Sequence, residues 1–326
     1  MKPYPWSRLR SARYDEIYVS PHMDDAVYSC GGRIAQRRAE GARILVITVF
    51  GNGRDDDHGE GIFGDMATRK REERAAMDLL DVDHVLLNHA DLLVRPKSPA
   101  ALARYVIPFL AIGPNAWQRE LAASIAALRF RFATPNARVY FPLGVGGHPD
   151  HRLVFEVGAA LADEPFVWFY EDIPYAQVPA LRSDRLHQLG LGPASFRLGA
   201  VGETHGFVMA HAPRWQLPFT YTAVLGHWLT VQTLSRLRRG SAIARAHEER
   251  DISDVIERKV AAIRAYATQT AFFFPAGDAL YGVLTRSGKR YVERSWQLSG
   301  FSSALAPDAL SVQREVASIE QALQLA

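Results

Sequence analysis

The sequence of 326 residues contains a single cysteine, Cys30. No disulfide can form within the chain, so cysteine use does not point to an oxidising compartment. Cys30 follows a segment rich in His and Asp, but its place in an expected helix favours a buried packing residue over a metal ligand. No apolar run reaches the roughly 20 residues of a membrane-spanning helix, and the N-terminal residues lack the apolar centre of a signal peptide. We therefore expect a soluble, cytoplasmic protein without a membrane span.

An excess of charge of one sign is also lacking. Lys and Arg number 38 and Asp and Glu 35, a formal net charge of +3. The most basic stretch, residues 236–240, is short and has no aromatic side chain on which a base could stack. We expect no nucleic-acid partner. Because 48% of the residues are hydrophobic and only 22% are charged, the chain can bury a sizeable core, and disorder is excluded.

Strand-like and helical segments alternate over the first half of the chain. Residues 43–50 form an unbroken apolar run, which is typical of a parallel strand covered on both faces. Shorter runs predict further strands at 17–20, 84–88, 138–142 and 166–170. Helical spacing of apolar residues predicts helices at 26–39, 68–80, 100–110, 117–130 and 152–161. This alternation predicts an α/β fold, a Rossmann-like and mostly parallel sheet with helices on both faces.

The second half has a less regular pattern. Residues 252–268 predict an amphipathic helix, whereas 198–209 and 217–237 mix strand-like and helical signals. No linker or internal repeat separates this half from the first. We therefore expect one domain over residues 1–326, with 1–175 as the Rossmann-like core and 176–326 as a C-terminal cap packed on the same domain and forming part of the substrate wall.

The segment Ser20-Pro21-His22-Met23-Asp24-Asp25 directly follows the first predicted strand. His22 and Asp25 have a spacing that lets both bind one metal ion across a tight turn. Asp24 lies between them, where a carboxylate can act as a general base beside the metal. The alternative is a polar turn that begins the next helix, with Asp25 as its N-cap.

A second segment, Gly147-His148-Pro149-Asp150-His151, directly follows the fourth predicted strand. One of its histidines can bind a metal, and the other can stabilise an oxyanion or donate a proton. Asp150 can orient a histidine through its ring N–H. The alternative is a glycine-rich turn with surface histidines. The two segments favour a metal site when taken together, because open α/β folds carry their chemistry at the carboxyl ends of strands.

The paired motifs Pro21-His22-x-Asp24-Asp25 and His148-Pro149-Asp150-His151 resemble those of the zinc-dependent N-acetylglucosaminyl deacetylase family, also called LmbE-like or PIG-L. Weaker similarities extend the resemblance from about Tyr14 to Trp296. They are Arg69-x-x-Glu72 with Ala76 and Leu80, Tyr170-Glu171-Asp172-Ile173-Pro174-Tyr175, and Lys259 with Tyr266-Ala-Thr-Gln269.

The resemblance implies a role for each motif position. His22, Asp25 and His151 would bind one zinc ion per chain. Asp24 would be the general base that activates the attacking water. His148 would polarise the amide carbonyl or stabilise the tetrahedral oxyanion. The resemblance leaves open whether Asp24 or His148 protonates the leaving amine.

Other positions carry a more distant likeness. Asp150 would orient or tune a histidine, and Arg69 and Asp91 would contact the sugar. Met23 and Ala26 depart from the residues usual in the family, and neither is an expected ligand. These departures suggest a branch away from the best-known sugar-thiol deacetylases.

The resemblance implies an N-deacetylase that releases acetate and a free amine from an N-acetylated amino sugar or sugar conjugate. One alternative is a zinc amidase that acts on an N-acyl natural-product or peptide-like intermediate. A sugar-binding protein without catalysis on the same fold is a further alternative, although such a protein has no need of a base at Asp24. The sequence leaves open the substrate, the presence of a homo-oligomer and the role of the Gly- and Asp-rich loop at 51–65.

Overall fold

A computed structural model describes residues 9, 13–52, 66–90, 116–193, 240–273, 280–281, 284–301 and 305–324. Eight strands lie in these ranges: β1 (Tyr14–Ser20), β2 (Ile44–Asn52), β3 (Asp83–Ala90), β4 (Ala133–Pro142), β5 (Val167–Tyr170), β6 (Ile243–Asp251), β7 (Arg286–Ser287) and β8 (Arg290–Ser299). The principal helices are α1 (Asp25–Ala39), α2 (Met66–Leu80), α3 (Ala116–Phe132), α4 (Pro149–Ala160), α5 (Pro179–Leu189), α6 (Ile256–Arg264), α7 (Ala267–Phe273) and α8 (Ala309–Gln324).

The strands form one sheet in the order β3-β2-β1-β4-β5-β8-β6, with the short β7 paired to β8. The first five of these are parallel to one another. Ile17 of β1 lies between Leu45 of β2 and Val139 of β4, and all three side chains are fully buried. Strands so enclosed gain stability from apolar area on both faces, which explains the continuous apolar run in β2. The predicted mostly parallel α/β sheet is confirmed.

The helices form two groups that cover the sheet. In one group α1, α2 and α6 contact one another, and in the other α3 contacts α4 and α8. Within the sheet, β2 lies on one side of β1 and β4 lies on the other. The chain runs from β1 through α1 to β2, and later through α3 to β4. Right-handed crossovers then place α1 and α3 on opposite faces. None of the helices in the described ranges combines the length and apolar character needed to cross a membrane.

The second half does more than cap the first. Its strands β8 and β6 extend the sheet beyond β5 as antiparallel strands. Their sequences did not predict strands, because neither forms an apolar run: β6, at the edge of the sheet, is rich in charged residues, and β8 mixes charged residues with apolar ones. The helix predicted at 252–268 is divided into α6 and α7. The predicted segments 100–110, 198–209 and 217–237 lie outside the described residues.

A buried carboxylate joins this extension to the core. Glu293 of β8 accepts hydrogen bonds of 2.7 Å from the backbone N–H groups of Gly32 and Arg33 in α1. It also accepts one of 2.6 Å from Nζ of Lys259 in α6. Lys259 is only 2% exposed, so each charge of the pair depends on the other for compensation.

We expect Glu293→Ala to lower the free energy of unfolding by about 3–5 kcal/mol, because it leaves a buried ammonium group without a counter-charge. The measurement is urea-induced unfolding followed by circular dichroism. Glu320→Ala is the matched control, since Glu320 forms an exposed pair with Arg131 and should cost less than about 1 kcal/mol. Equal effects of the two substitutions would contradict the structural role of Glu293.

Candidate metal centre and active site

Both histidine-containing segments lie at the point where the strand order reverses. β1 and β4 are neighbours in the sheet, and the chain proceeds from β1 outward to β2 and β3 before it returns to β4. A crevice therefore opens beyond the carboxyl ends of β1 and β4, which is the usual ligand position in open α/β sheets. Residues 21–24 follow β1 there, and residues 143–148 follow β4.

The first loop is folded around the Asp25 carboxylate. Oδ2 of Asp25 accepts a 2.8 Å hydrogen bond from the backbone N–H of His22 and lies 3.3 Å from Nδ1 of the same residue. The helix α1 begins at Asp25, and Asp24 before it makes no side-chain cap. Asp25 therefore does not act as the simple N-cap considered for this segment. Its carboxylate turns back toward His22, where it can serve as a ligand.

The second loop depends on glycine. Gly144, Gly146 and Gly147 have φ angles of 79°, 81° and 73°, values that other residues adopt only with strain. A Cβ atom on Gly146 would also lie 2.7 Å from the ring of Tyr175. This tight path ends at His148, which precedes α4 and brings His151 to the first turn of that helix.

The described residues contain one histidine cluster that could hold a metal ion. One ring nitrogen from each of His22, His148 and His151 lies within 4.8 Å of the other two. Asp25 faces the same point, because its Oδ2 lies 3.3 Å from Nδ1 of His22 and 3.3 Å from Nε2 of His151. The site thus offers imidazole nitrogens and a carboxylate oxygen, the donor types that zinc prefers.

Two carboxylates determine on which ring nitrogen His22 and His151 carry their proton, and therefore which nitrogen is free to bind a metal. Asp150 Oδ2 lies 3.0 Å from Nε2 of His22, and Asp172 Oδ1 lies 2.6 Å from Nδ1 of His151. A neutral ring that donates its N–H to a carboxylate has a lone pair on its other nitrogen. His22 Nδ1 and His151 Nε2 therefore present lone pairs beside Asp25, as metal ligands must.

His148 is held in a different way. Its Nδ1 accepts a 3.3 Å hydrogen bond from the backbone N–H of Asp150, as the N-cap of α4. In the neutral ring the proton is then on Nε2. His148 thereby carries a hydrogen-bond donor on Nε2, whereas His22 and His151 carry lone pairs on the nitrogens nearest Asp25. The hydrogen bonds therefore separate His148 from the other two rings, although distance alone groups all three.

The pKa values of Asp25 and His151 reflect how closely their charges lie. Burial would lower the pKa of His151, but Asp25 and Asp172 together raise it to about 10. Burial would raise the pKa of Asp25, but the His151 and His22 rings hold it well below its ordinary value. Both pKa shifts favour a negatively charged Asp25 beside a positively charged His151. A cation bound there replaces the proton of His151.

Asp24 lies beside this cluster in a strained backbone conformation. Its φ angle is 123°, and its side chain is buried. Burial raises the pKa of Asp24 well above its usual range and the Asp25 carboxylate raises it further, whereas the Arg69 guanidinium opposes both. Non-glycine strain of this kind concentrates at functional sites.

The helix α2 brings Arg69 to the site and is anchored by two buried glutamates. Glu73 accepts hydrogen bonds from the hydroxyl groups of Thr48 and Tyr266. Glu72 accepts them from the backbone N–H and the hydroxyl of Thr268. Arg69 is itself buried, and its Nε has no hydrogen-bond partner in the described part of the chain. It therefore has a donor available near Asp24.

The structure brings most of the predicted site residues together. His22, Asp24, Asp25, His148, Asp150 and His151 meet at one sheet edge, with Arg69 beside Asp24. Asp91 lies outside the described residues. Asp172, which contacts His151, belongs to neither histidine-containing motif. Its signal in the sequence is its position two residues after β5, the strand next to β4. The structure adds that it is buried despite its charge.

Comparisons with known proteins agree with this architecture. Residues 17–162 match the family model described as PIG-L: GlcNAc-PI de-N-acetylase. A 2'-N-acetylparomamine deacetylase of Streptomyces fradiae is 33% identical over 179 residues, which are 52% of this chain and 60% of that protein. The similarity therefore spans less than two thirds of the relative.

Solved structures extend the likeness in fold to nearly the whole chain. The deacetylase of the A40926 pseudoaglycone aligns with a TM-score of 0.56 at 20% identity, over 89% of this chain and 99% of that one. A zinc-inhibited form of teicoplanin deacetylase aligns with a TM-score of 0.55 at 19% identity, over 87% and 97%. All of these relatives are named deacetylases, which are amide hydrolases.

Proposed function

We propose, from the match of residues 17–162 to the PIG-L family model, that the protein is a zinc-dependent N-deacetylase of that family. It hydrolyses the acetamide of an amino sugar or sugar conjugate to acetate and a free amine. The observation that carries the proposal is the convergence of His22 Nδ1, His151 Nε2 and Asp25 Oδ2 beside Asp24 and His148. A protein that only bound sugar would need neither the base nor this donor set.

The three converging atoms fit a zinc site that keeps an open position. Catalytic zinc sites commonly use three protein ligands, and two imidazoles with one carboxylate are a known set. His22, Asp25 and His151 would hold the zinc ion, which would supply Lewis acidity and make the attacking water more acidic. Asp150 and Asp172 keep the two rings turned for this task.

The remaining residues supply the proton transfers and the charge stabilisation. Asp24 accepts a proton from the attacking water, and its burial, which raises its pKa, makes it a stronger base than an exposed aspartate. His148 donates Nε2–H toward the oxygen on which negative charge develops as water adds to the carbonyl carbon. When the C–N bond breaks, the amine leaves with a proton given by Asp24 or His148.

Arg69 is the described residue best placed to bind the sugar. Its guanidinium interacts with the Asp24 carboxylate, and its buried Nε has no partner among the residues that the structure describes. A hydroxyl of the substrate would satisfy that donor, which otherwise carries an unfavourable desolvation cost. The similarity to the 2'-N-acetylparomamine deacetylase also supports an N-acetylated amino sugar as the substrate class.

The test is free-amine release from a panel of N-acetyl amino sugars, their glycosides and N-acyl peptide-like compounds. We expect release from the sugar compounds by the zinc-loaded protein and none after chelation. Release only from N-acyl compounds without a sugar would identify a zinc amidase of another substrate class. Saturable sugar binding by the zinc-loaded protein, with no release from any compound, would contradict catalysis and favour a sugar-binding protein.

A further inference from the structure

The buried carboxylate of Asp172 lies between the two halves of the site that act on the amide. Asp172 is only 1% exposed. Its two oxygens have separate partners: Oδ1 lies 2.6 Å from Nδ1 of His151, and Oδ2 accepts the backbone N–H groups of Gly144 and Val145 at 2.8 and 2.9 Å. One side chain thus contacts both a proposed ligand and the loop that ends at His148.

We propose that Asp172 is a positioning residue with two effects. Its Oδ1 sets the tautomer of His151, and its Oδ2 fixes the Gly144–Gly147 loop. The proposal rests on the zinc site of the proposed function. A carboxylate can only accept hydrogen bonds, so Asp172 selects the ring form with a proton on Nδ1. The lone pair then lies on Nε2, which faces Asp25 across 3.3 Å.

The loop contacts give Asp172 its second effect. Successive backbone N–H groups that point at one oxygen form an anion-binding concavity, and here the anion is built into the chain. The loop has three glycines at positive φ, so its backbone has little intrinsic preference for the observed path. The Oδ2 contacts reduce that freedom and thereby fix where His148 stands relative to His151.

Asp172→Asn separates these effects. The amide oxygen can still accept the N–H groups of Gly144 and Val145, which keeps the loop in place. The amide NH2 then faces Nδ1 of His151 and favours a ring protonated on Nε2, the nitrogen that should bind the metal. The substitution therefore changes the tautomer while it preserves size and backbone hydrogen bonds.

The experiment is zinc affinity by competition with a chromophoric chelator, measured without substrate. We expect Asp172→Asn to weaken zinc binding by about 10–100-fold, as loss of a carboxylate behind a ligating histidine does. Glu171→Gln is the matched control, because Glu171 is also buried but contacts Arg182 and Trp296 instead of the site. It should bind zinc as the unchanged protein does. Equal zinc affinity for Asp172→Asn and the unchanged protein would overturn the proposal.

A second measurement keeps the test decisive if Asp172→Asn does not fold. In the zinc-loaded, unchanged protein, NMR of ¹⁵N-labelled histidine should show the proton of His151 on Nδ1, and a proton on Nε2 would overturn the proposal. Neither measurement uses turnover. An inactive protein that binds zinc with the expected Asp172 dependence would contradict the deacetylase function and leave the positioning role intact.

Discussion

Asp24→Asn should abolish most turnover while the protein still binds zinc. A general base contributes about 10²–10⁴-fold to rate, and we expect kcat to fall by that factor. The amide of Asn cannot accept the proton of the attacking water at neutral pH. It has the size of the carboxylate, and Asn tolerates positive φ better than most residues, so the strained backbone at 123° can persist.

The measurement pairs kcat with zinc content by elemental analysis. Asp81→Asn is the control, since Asp81 also has a positive φ of 56° but is exposed and paired with Arg38 outside the site. It makes the same chemical change at another aspartate with positive φ and should leave kcat unchanged. If Asp24→Asn keeps full activity, Asp24 is not the base. If it loses zinc, its role includes holding the metal.

The part of the fold that is covered on both faces could be predicted from sequence. β2 is almost entirely apolar, and β4 becomes apolar over its last residues, 139–142, because helices cover both faces there; these sequences carry the structural signal directly. β6 and β8 could not be predicted in this way. β6 has a mostly exposed, charged sequence at the edge of the sheet. β8 lies between β5 and β6, and it mixes charged and polar residues with apolar ones. Neither sequence has the apolar run that marks a strand covered on both faces.

The same contrast applies to the site. His22, Asp25, His148 and His151 are close in sequence within two motifs, and both motifs follow strands, so their meeting could be predicted once the strands were placed. Asp172 belongs to neither motif and has its effect through a hydrogen bond to His151. That contact depends on the pairing of β4 with β5, which spacing along the chain does not encode.

Two ligand sets are conceivable for the metal centre, and they differ in the role of His148. Distance alone would make His22, His148 and His151 the ligands. Hydrogen bonding instead assigns the ligands to His22, Asp25 and His151. If His22, Asp25 and His151 are the ligands, His148→Asn should retain about one zinc ion per chain. Its shorter side chain withdraws the N–H donor from the oxyanion, so kcat should fall by about 10²–10³-fold, the usual effect of losing one such donor. Asn also remains a good N-cap, so α4 keeps the cap that His148 provides.

Asp25→Ala should give the opposite result. It removes a proposed ligand, so zinc affinity should fall by more than the roughly 10–100-fold expected for a supporting carboxylate, and activity should fail to return when one equivalent of zinc is added after chelation. Chelator competition and zinc re-addition on both variants distinguish the readings. A three-histidine centre would reverse the pattern, with His148→Asn losing zinc and Asp25→Ala keeping it. The hydrogen bond from Asp150 N–H to His148 Nδ1 is the reason we expect the first pattern, because it keeps the Nε2 proton where a metal ligand would need a lone pair.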